Sequence, residues 1–258
     1  MPSTLAPSTR LVALITGAGR RRLGSHIAHG LAADGIGVAI HYHQSREEAE
    51  LLVTELRANG VQARLFQADL RSRAAIEKLV ASVVATFGRL DVLVNTASVW
   101  RPIPLEEITE LDLQEQFDVD LKATFFCSQL AGLQMVRQAE GGVIINFGDW
   151  AWERPYPNHA AYFALKGAIP GLTRSLAREL AERNPKIRVN CILPGPVLLP
   201  PNSDEVERQQ LLQSTLVQQV NRPDAIVRAV RYFIAEDFVT GVCLPVDGGR
   251  TIFAGEDR

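Results

Sequence analysis

The chain has 258 residues, 47% of them apolar and 22% charged, with a formal net charge of -2. That length suits one domain with a sizeable core, and the near-neutral balance excludes the electrostatic footprint of a nucleic-acid or membrane-surface binder. No apolar run approaches a bilayer span, and the opening MPSTLAPSTR lacks the apolar stretch of a secretory signal. Residues 1–10 therefore read as a flexible tail ahead of a single domain, 11–258, in a cytoplasmic setting.

In chain order, LVALIT (11–16), GVAIHYH (37–43), VQARLFQ (61–67), LDVLVN (90–95), GGVIINF (141–147), KIRVNCI (186–192) and GVCLPV (241–246) read as strands. Amphipathic stretches 24–34, 46–59, 72–87, 110–138, 160–183 and 223–235 read as helices between them. Short strands apolar on both faces, alternating with helices, predict an α/β fold: a Rossmann-type doubly wound parallel sheet of about seven strands with helices on both faces. Its ligand crevice belongs at the carboxyl ends of the strands. Segment 196–222 is Pro-rich and then helical, and reads as a substrate-covering segment or as an ordinary surface excursion. Cys127, Cys191 and Cys243 are odd in number and far apart, so they read as buried thiols, with no metal site.

The first strand runs into TGAGRRRLG, Thr16 to Gly24, and a helix follows. Glycines at such a turn let the backbone approach a pyrophosphate at the helix N-terminus. The second strand ends in His41-Tyr42-His43-Gln44-Ser45-Arg46, with no acid before Glu47. An NAD site generally has an acid there for the ribose hydroxyls. With Arg20, Arg21 and Arg22 nearby in sequence, this corner suits the 2′-phosphate of NADPH. Further on, Tyr162 precedes Lys166 by four residues, and Asp149 lies thirteen upstream. On a helix the pair share a face, and an ammonium beside a phenol lowers its pKa toward working pH. The same spacing arises by chance on any exposed helix face.

Together, TGAGRRRLG, QADL (67–70), VNTAS (94–98), Asp149…Tyr162-x-x-x-Lys166, LPGPV (193–197) and VDGG (246–249) resemble the short-chain dehydrogenase/reductase family over nearly the whole chain. The resemblance implies that Tyr162 is the acid/base and that Lys166 holds the nicotinamide ribose. It places Gly17, Arg20, Arg22 and Leu23 at the cofactor, Asp69 and Leu70 at the adenine, and Asn95 and Ala97 near the ribose. The Pro194-Gly195 turn closes over the nicotinamide, with Val197 beyond it where a hydroxyl residue is often found. Most members carry Ser where this chain has Asp149 and Asn where it has Asp120, and their glycine turn is one residue shorter.

Asp149, an Arg before Leu23-Gly24, HYHxS after the second strand and an aromatic at Trp100 resemble the pteridine reductases. GDWAWERPYPNHAAY and FVTGVCLPVDGGR are most similar to the bacterial dihydromonapterin/dihydrofolate reductase branch. That likeness implies His43, Gln44 and Ser45 around the 2′-phosphate, Arg22 reaching pyrophosphate and pterin, and Trp100 stacked on the pterin. The wider family resemblance implies a homotetramer built through 110–138 and 160–183.

The Asp149 departure has a physical reading of its own. Ketone reduction builds negative charge on oxygen, and a carboxylate about 4 Å away opposes it by about 4 kcal/mol at an effective dielectric near 20. That is on the order of a thousandfold in rate. Reduction of a C=N bond needs a proton on nitrogen, where a carboxyl group helps. The expectation is an NADPH-dependent reductase of a dihydropterin or dihydrofolate-like small molecule. An NADP-dependent carbonyl or 3-oxoacyl reductase and a non-catalytic NADP-binding regulator are the alternatives. His159 reads as a surface residue at a helix entry or as a second acid, and Trp150 and Trp152 as pocket lining or as packing.

Overall fold

The structure, a computed structural model, describes residues 11–199 and 203–253; the N-terminal tail lies outside the described residues. Seven parallel strands form one sheet in the order β3-β2-β1-β4-β5-β6-β7. They are β1 (Val12–Thr16), β2 (Gly37–Tyr42), β3 (Ala63–Gln67), β4 (Val92–Asn95), β5 (Gly142–Phe147), β6 (Ile187–Pro194) and β7 (Cys243–Val246). The helices are α1 (Leu23–Ala33), α2 (Arg46–Ala58), α3 (Arg73–Phe87), α4 (Glu110–Gln116), α5 (Ala123–Val136), α6 (Ala160–Ala181), α7 (Glu205–Gln213) and α8 (Pro223–Ala235).

Alternation along the central strands divides the core between the two faces. Ala13 and Ile15 of β1 pack with α1, α2 and α8 through Leu31, Leu56 and Phe233. Val12 and Leu14 pack on the other side with α3, α5 and α6 through Ile76, Met135 and Leu180. Strand order reverses between β1 and β4, whose ends are in register at Thr16 and Asn95, and the crevice opens there.

Three features depart from expectation. The helix foreseen over 110–138 is broken by a π-helical segment, Phe117–Lys122, which carries the fully buried Asp120. Cys191 and Cys243, distant in sequence, are register partners on β6 and β7. His159 is buried rather than a surface residue, at 7% exposure. Its Nδ1 lies 3.0 Å from the Pro157 carbonyl, and its ring stacks on Trp100 with centroids 5.1 Å apart.

Candidate active site

The crevice holds a cleft of about 330 Å³ lined by Gly17, Gly19, Arg20, Arg22, His43, Gln44, Ser45, Asp69, Leu70 and Ala97, among others. A Cβ at Gly17 would lie 2.8 Å from the Ala97 Cα, and Gly17 has φ +68°. A Cβ at Gly19 would lie 2.5 Å from that of Tyr42. Only bare backbone fits here, so the turn can bring its N–H groups close to a ligand. The α1 N-terminus has no side-chain cap, and the helix dipole there favours an anion. This cradle fits a dinucleotide. Arg21 faces away, 3.9 Å from Glu55 on α2, whereas Arg20 and Arg22 line the cleft.

One residue of the cradle escaped sequence reasoning. His41 is 2% exposed; its Nδ1 accepts from the Gly17 N–H at 3.0 Å, and its Nε2 donates to the Ala68 carbonyl at 3.1 Å. Burial lowers its pKa to about 4, so the ring is neutral and ties the glycine turn to the sheet. The available signal was a His inside an apolar strand, two residues before the exposed His43.

The other proposed cofactor residues are placed unequally. Asp69 lines the cleft with its carboxylate forked by Arg71, which lowers its pKa to about 2, and His43 Nε2 lies 3.8 Å from it. Asn95 turns its amide into the sheet, donating to Ser128 and Asn146 at 2.9 Å each. Leu23 packs on the core. Pro194 ends β6, and a Cβ at Gly195 would lie 2.5 Å from the Asp247 Cα, so this turn sits tightly on the one after β7. Val197 lines a separate cavity of about 360 Å³ with Val217, Arg222 and Gly249.

At the catalytic end, Asp149 caps a 3-10 turn, Trp150–Trp152, its Oδ1 accepting from the Ala151 N–H at 2.9 Å. The Tyr162 hydroxyl donates to Asp149 Oδ2 at 3.0 Å. Lys166 is 3% exposed; its Nζ donates to the Phe147 carbonyl at 3.2 Å and lies 3.3 Å from Asp120 Oδ1 and 5.6 Å from the Tyr162 ring centroid. Ser98 donates to the same Asp120 oxygen, and the Val99 N–H reaches the other at 3.4 Å. Asp120 is thus the buried counter-ion of Lys166.

This arrangement corrects the expected effect of the lysine. Burial first, then the charges of Asp149 and Asp120, raise the Tyr162 pKa well above its ordinary value. One ammonium faces two carboxylates, so the phenol is held as a proton donor. Burial also raises the Asp149 pKa against the opposing pull of the Ala151 N–H and Tyr162. Trp150 is buried beside Tyr162 and Phe163, and Trp152 packs against the cluster of Ile169, Cys191 and Leu193. Trp100, half exposed, stacks on His159.

The short chain dehydrogenase family matches residues 11–210. A 3-oxoacyl-(acyl-carrier-protein) reductase of Staphylococcus aureus is 38% identical over 243 residues, 92% of this chain and 96% of that protein. One from Synechocystis is 32% identical over 249 residues, covering 95% and 98%. Among solved structures, a blue fluorescent protein from a metagenomic library in complex with NADPH superposes with a TM-score of 0.84 at 34% identity, covering 93% of this chain and 97% of that one. A cradle for a dinucleotide, an adjoining Tyr-Lys pair and likeness over nine-tenths of its length make the chain a member of the short-chain dehydrogenase/reductase family, and an NAD(P)-dependent oxidoreductase.

Proposed function

We propose that this oxidoreductase uses NADPH to reduce a C=N bond of a dihydropterin or dihydrofolate-like substrate. The observation that carries the reading is the Asp149 carboxylate hydrogen-bonded to Tyr162 at 3.0 Å, with a second buried carboxylate, Asp120, behind Lys166. The surroundings of the phenol favour a substrate that gains a proton and disfavour one that gains negative charge. When bound, the dinucleotide supplies the hydride. Tyr162 holds the proton for the substrate nitrogen, Asp149 orients that hydroxyl and accepts substrate N–H groups, and Lys166 is fixed by Phe147 and Asp120. Trp100 offers a half-exposed aromatic face to a flat ring. NADPH over NADH is supported by Arg20, Arg22, His43 and Ser45 in the cleft, with Asp69 engaged by Arg71.

A second reading, reduction of a 3-oxoacyl thioester, is favoured by the names of the relatives just described. It requires Asp149 to stay protonated through turnover, in keeping with its raised pKa. NADPH oxidation measured with dihydrobiopterin, dihydrofolate and an acetoacetyl thioester separates the two. The proposal expects turnover of the dihydropterins; activity on the thioester alone overturns it.

Exposed apolar side chains at Leu105, Leu111, Leu113, Phe117 and Phe125 support a homotetramer built through the α4–α5 region. The exposed α7, which buries none of its residues, is proposed as the substrate cover. A cytoplasmic location is proposed from the three free thiols.

A further inference from the structure

Arg250 begins a 3-10 turn, Arg250–Ile252, just after β7, and it places a cation beside the catalytic acid. Its guanidinium carbon lies 4.4 Å above the ring centroid of Trp150, the residue that follows Asp149. Among the described residues no carboxylate forms an ion pair with it. Asp247 commits its oxygens to the Gly249 N–H and to the Thr251 N–H and hydroxyl. Asp149 is occupied by Ala151 and Tyr162. Half-burial lowers the guanidinium pKa, and the charge of Arg154 lowers it further, while Tyr156, Asp149 and Asp247 pull the other way. Arg154 is drawn to this turn by donating to the carbonyls of Arg250 and Phe253, at 3.2 and 2.6 Å.

Two neighbouring guanidiniums, one of them half-buried and without an ion pair among the described residues, favour an anion that joins them. The contact with Trp150 holds the Arg250 guanidinium over the ring, and the planar fork of N–H donors on a guanidinium suits a carboxylate or phosphate. We propose that Arg250, with Arg154 at the rim, is an anion subsite for the end of the substrate remote from the reacting bond. The proposal rests on reading Asp149 and Tyr162 as the reacting end. It narrows the substrate class to a reducible ring with an acidic tail, such as a glutamyl carboxylate. Under the thioester reading, the phosphate of the acyl carrier is the same chemistry.

The test is the ratio of kcat/KM for dihydrofolate to that for the neutral-tailed dihydrobiopterin, in wild type, Arg250→Met and Arg250→Lys. Methionine keeps an apolar stem over Trp150. The ratio should fall at least tenfold in Arg250→Met, mainly through KM, with partial recovery in Arg250→Lys; an unchanged ratio overturns the subsite. Should wild type reduce neither pterin, the imine reading fails, and the ratio is taken instead between acetoacetyl-coenzyme A and the neutral acetoacetyl N-acetylcysteamine thioester. There, too, a tenfold fall supports the subsite and an unchanged ratio overturns it. A third measurement needs neither turnover nor a folded variant. Calorimetric binding of p-aminobenzoyl-glutamate to wild type should be at least tenfold tighter than that of its uncharged diamide, and equal affinities overturn the proposal.

Discussion

At the nucleotide end of the crevice stand the exposed cations Arg20 and Arg22, with Asp69 engaged by Arg71, whereas at the catalytic end two carboxylates flank the Tyr162-Lys166 pair, Asp149 at the phenol and Asp120 at the buried ammonium. The first group faces solvent, where salt and water screen it, and under the proposed function it selects which dinucleotide enters. Asp120 and Lys166 of the second are buried and Asp149 is partly so, and charges withdrawn from water are screened less. Under the proposed function the crevice presents opposite signs to the two ends of its reaction: cations to a phosphate, carboxylates to a nitrogen that must be protonated. Selectivity for cofactor and selectivity for chemistry should therefore be separable by mutation.

The largest expected effect is at the catalytic end. Tyr162→Phe removes the proton donor and should lower kcat about a hundredfold to ten-thousandfold on any substrate while leaving NADPH affinity unchanged. Asp149→Ser should lower dihydropterin turnover by about a hundredfold and uncover weak ketone reduction, since the opposing charge is gone. Intact dihydropterin turnover in that variant would remove the physical support for an imine substrate.

Beneath the glycine turn of the nucleotide end lies His41, and pH addresses it. Its folded pKa of about 4 is below the ordinary 6.5, so the unfolded chain binds the extra proton first as pH falls. Stability contributed by the neutral ring is complete above pH 6.5 and is lost between 6.5 and 4, on the order of 3 kcal/mol in all. Melting temperatures taken from pH 7 to 4.5 should fall more steeply in wild type than in His41→Gln. Parallel curves would mean that the ring is not the buried acid-sensitive tie described here.

A smaller effect is expected at the nucleotide end. Ser45→Glu sets a carboxylate where the 2′-phosphate is expected and should weaken NADPH about tenfold while sparing NADH, with unchanged kcat at saturation. A matching loss for both cofactors would show general damage to the cradle. Smallest of all, Trp100→Ala should raise KM for a flat substrate about two- to tenfold, as stacking contributes about 0.5–1.5 kcal/mol beyond buried area. An unaltered KM would leave Trp100 as a partner of His159 only.

Strand positions are legible in the sequence because an apolar run between turn residues is a local signal, and seven such runs become the seven strands. The Tyr162-Lys166 spacing is legible for the same reason, since one helix turn sets the pair. What eludes sequence reasoning is contact between distant segments. The sign of the Tyr162 pKa shift depends first on burial by the surrounding fold, then on Asp149 and on Asp120, which arrives from another helix. Arg250 meets Trp150 from across the chain, and Cys191 meets Cys243 only because β6 and β7 pair. The polarity of His159 suggests a surface, while the rings of Trp100, Tyr156 and Phe163 enclose it.

The π-helical segment Phe117–Lys122 also changes angle. One extra residue in a helix turns everything beyond it by about 100°. The phase of α4, which leaves Leu111 and Leu113 exposed, is therefore not the phase of α5, which buries Ala123, Cys127, Ala131 and Met135 at four-residue steps. Asp120 lies in the offset itself, and Thr124 anchors it by donating to the Asp120 carbonyl at 2.8 Å. Shortening the segment by one residue would leave a helix of nearly unchanged composition and hydropathy, yet swing the carboxylate away from Lys166. In this fold the counter-ion of Lys166 is held by a rotational mismatch between two stretches of one helix.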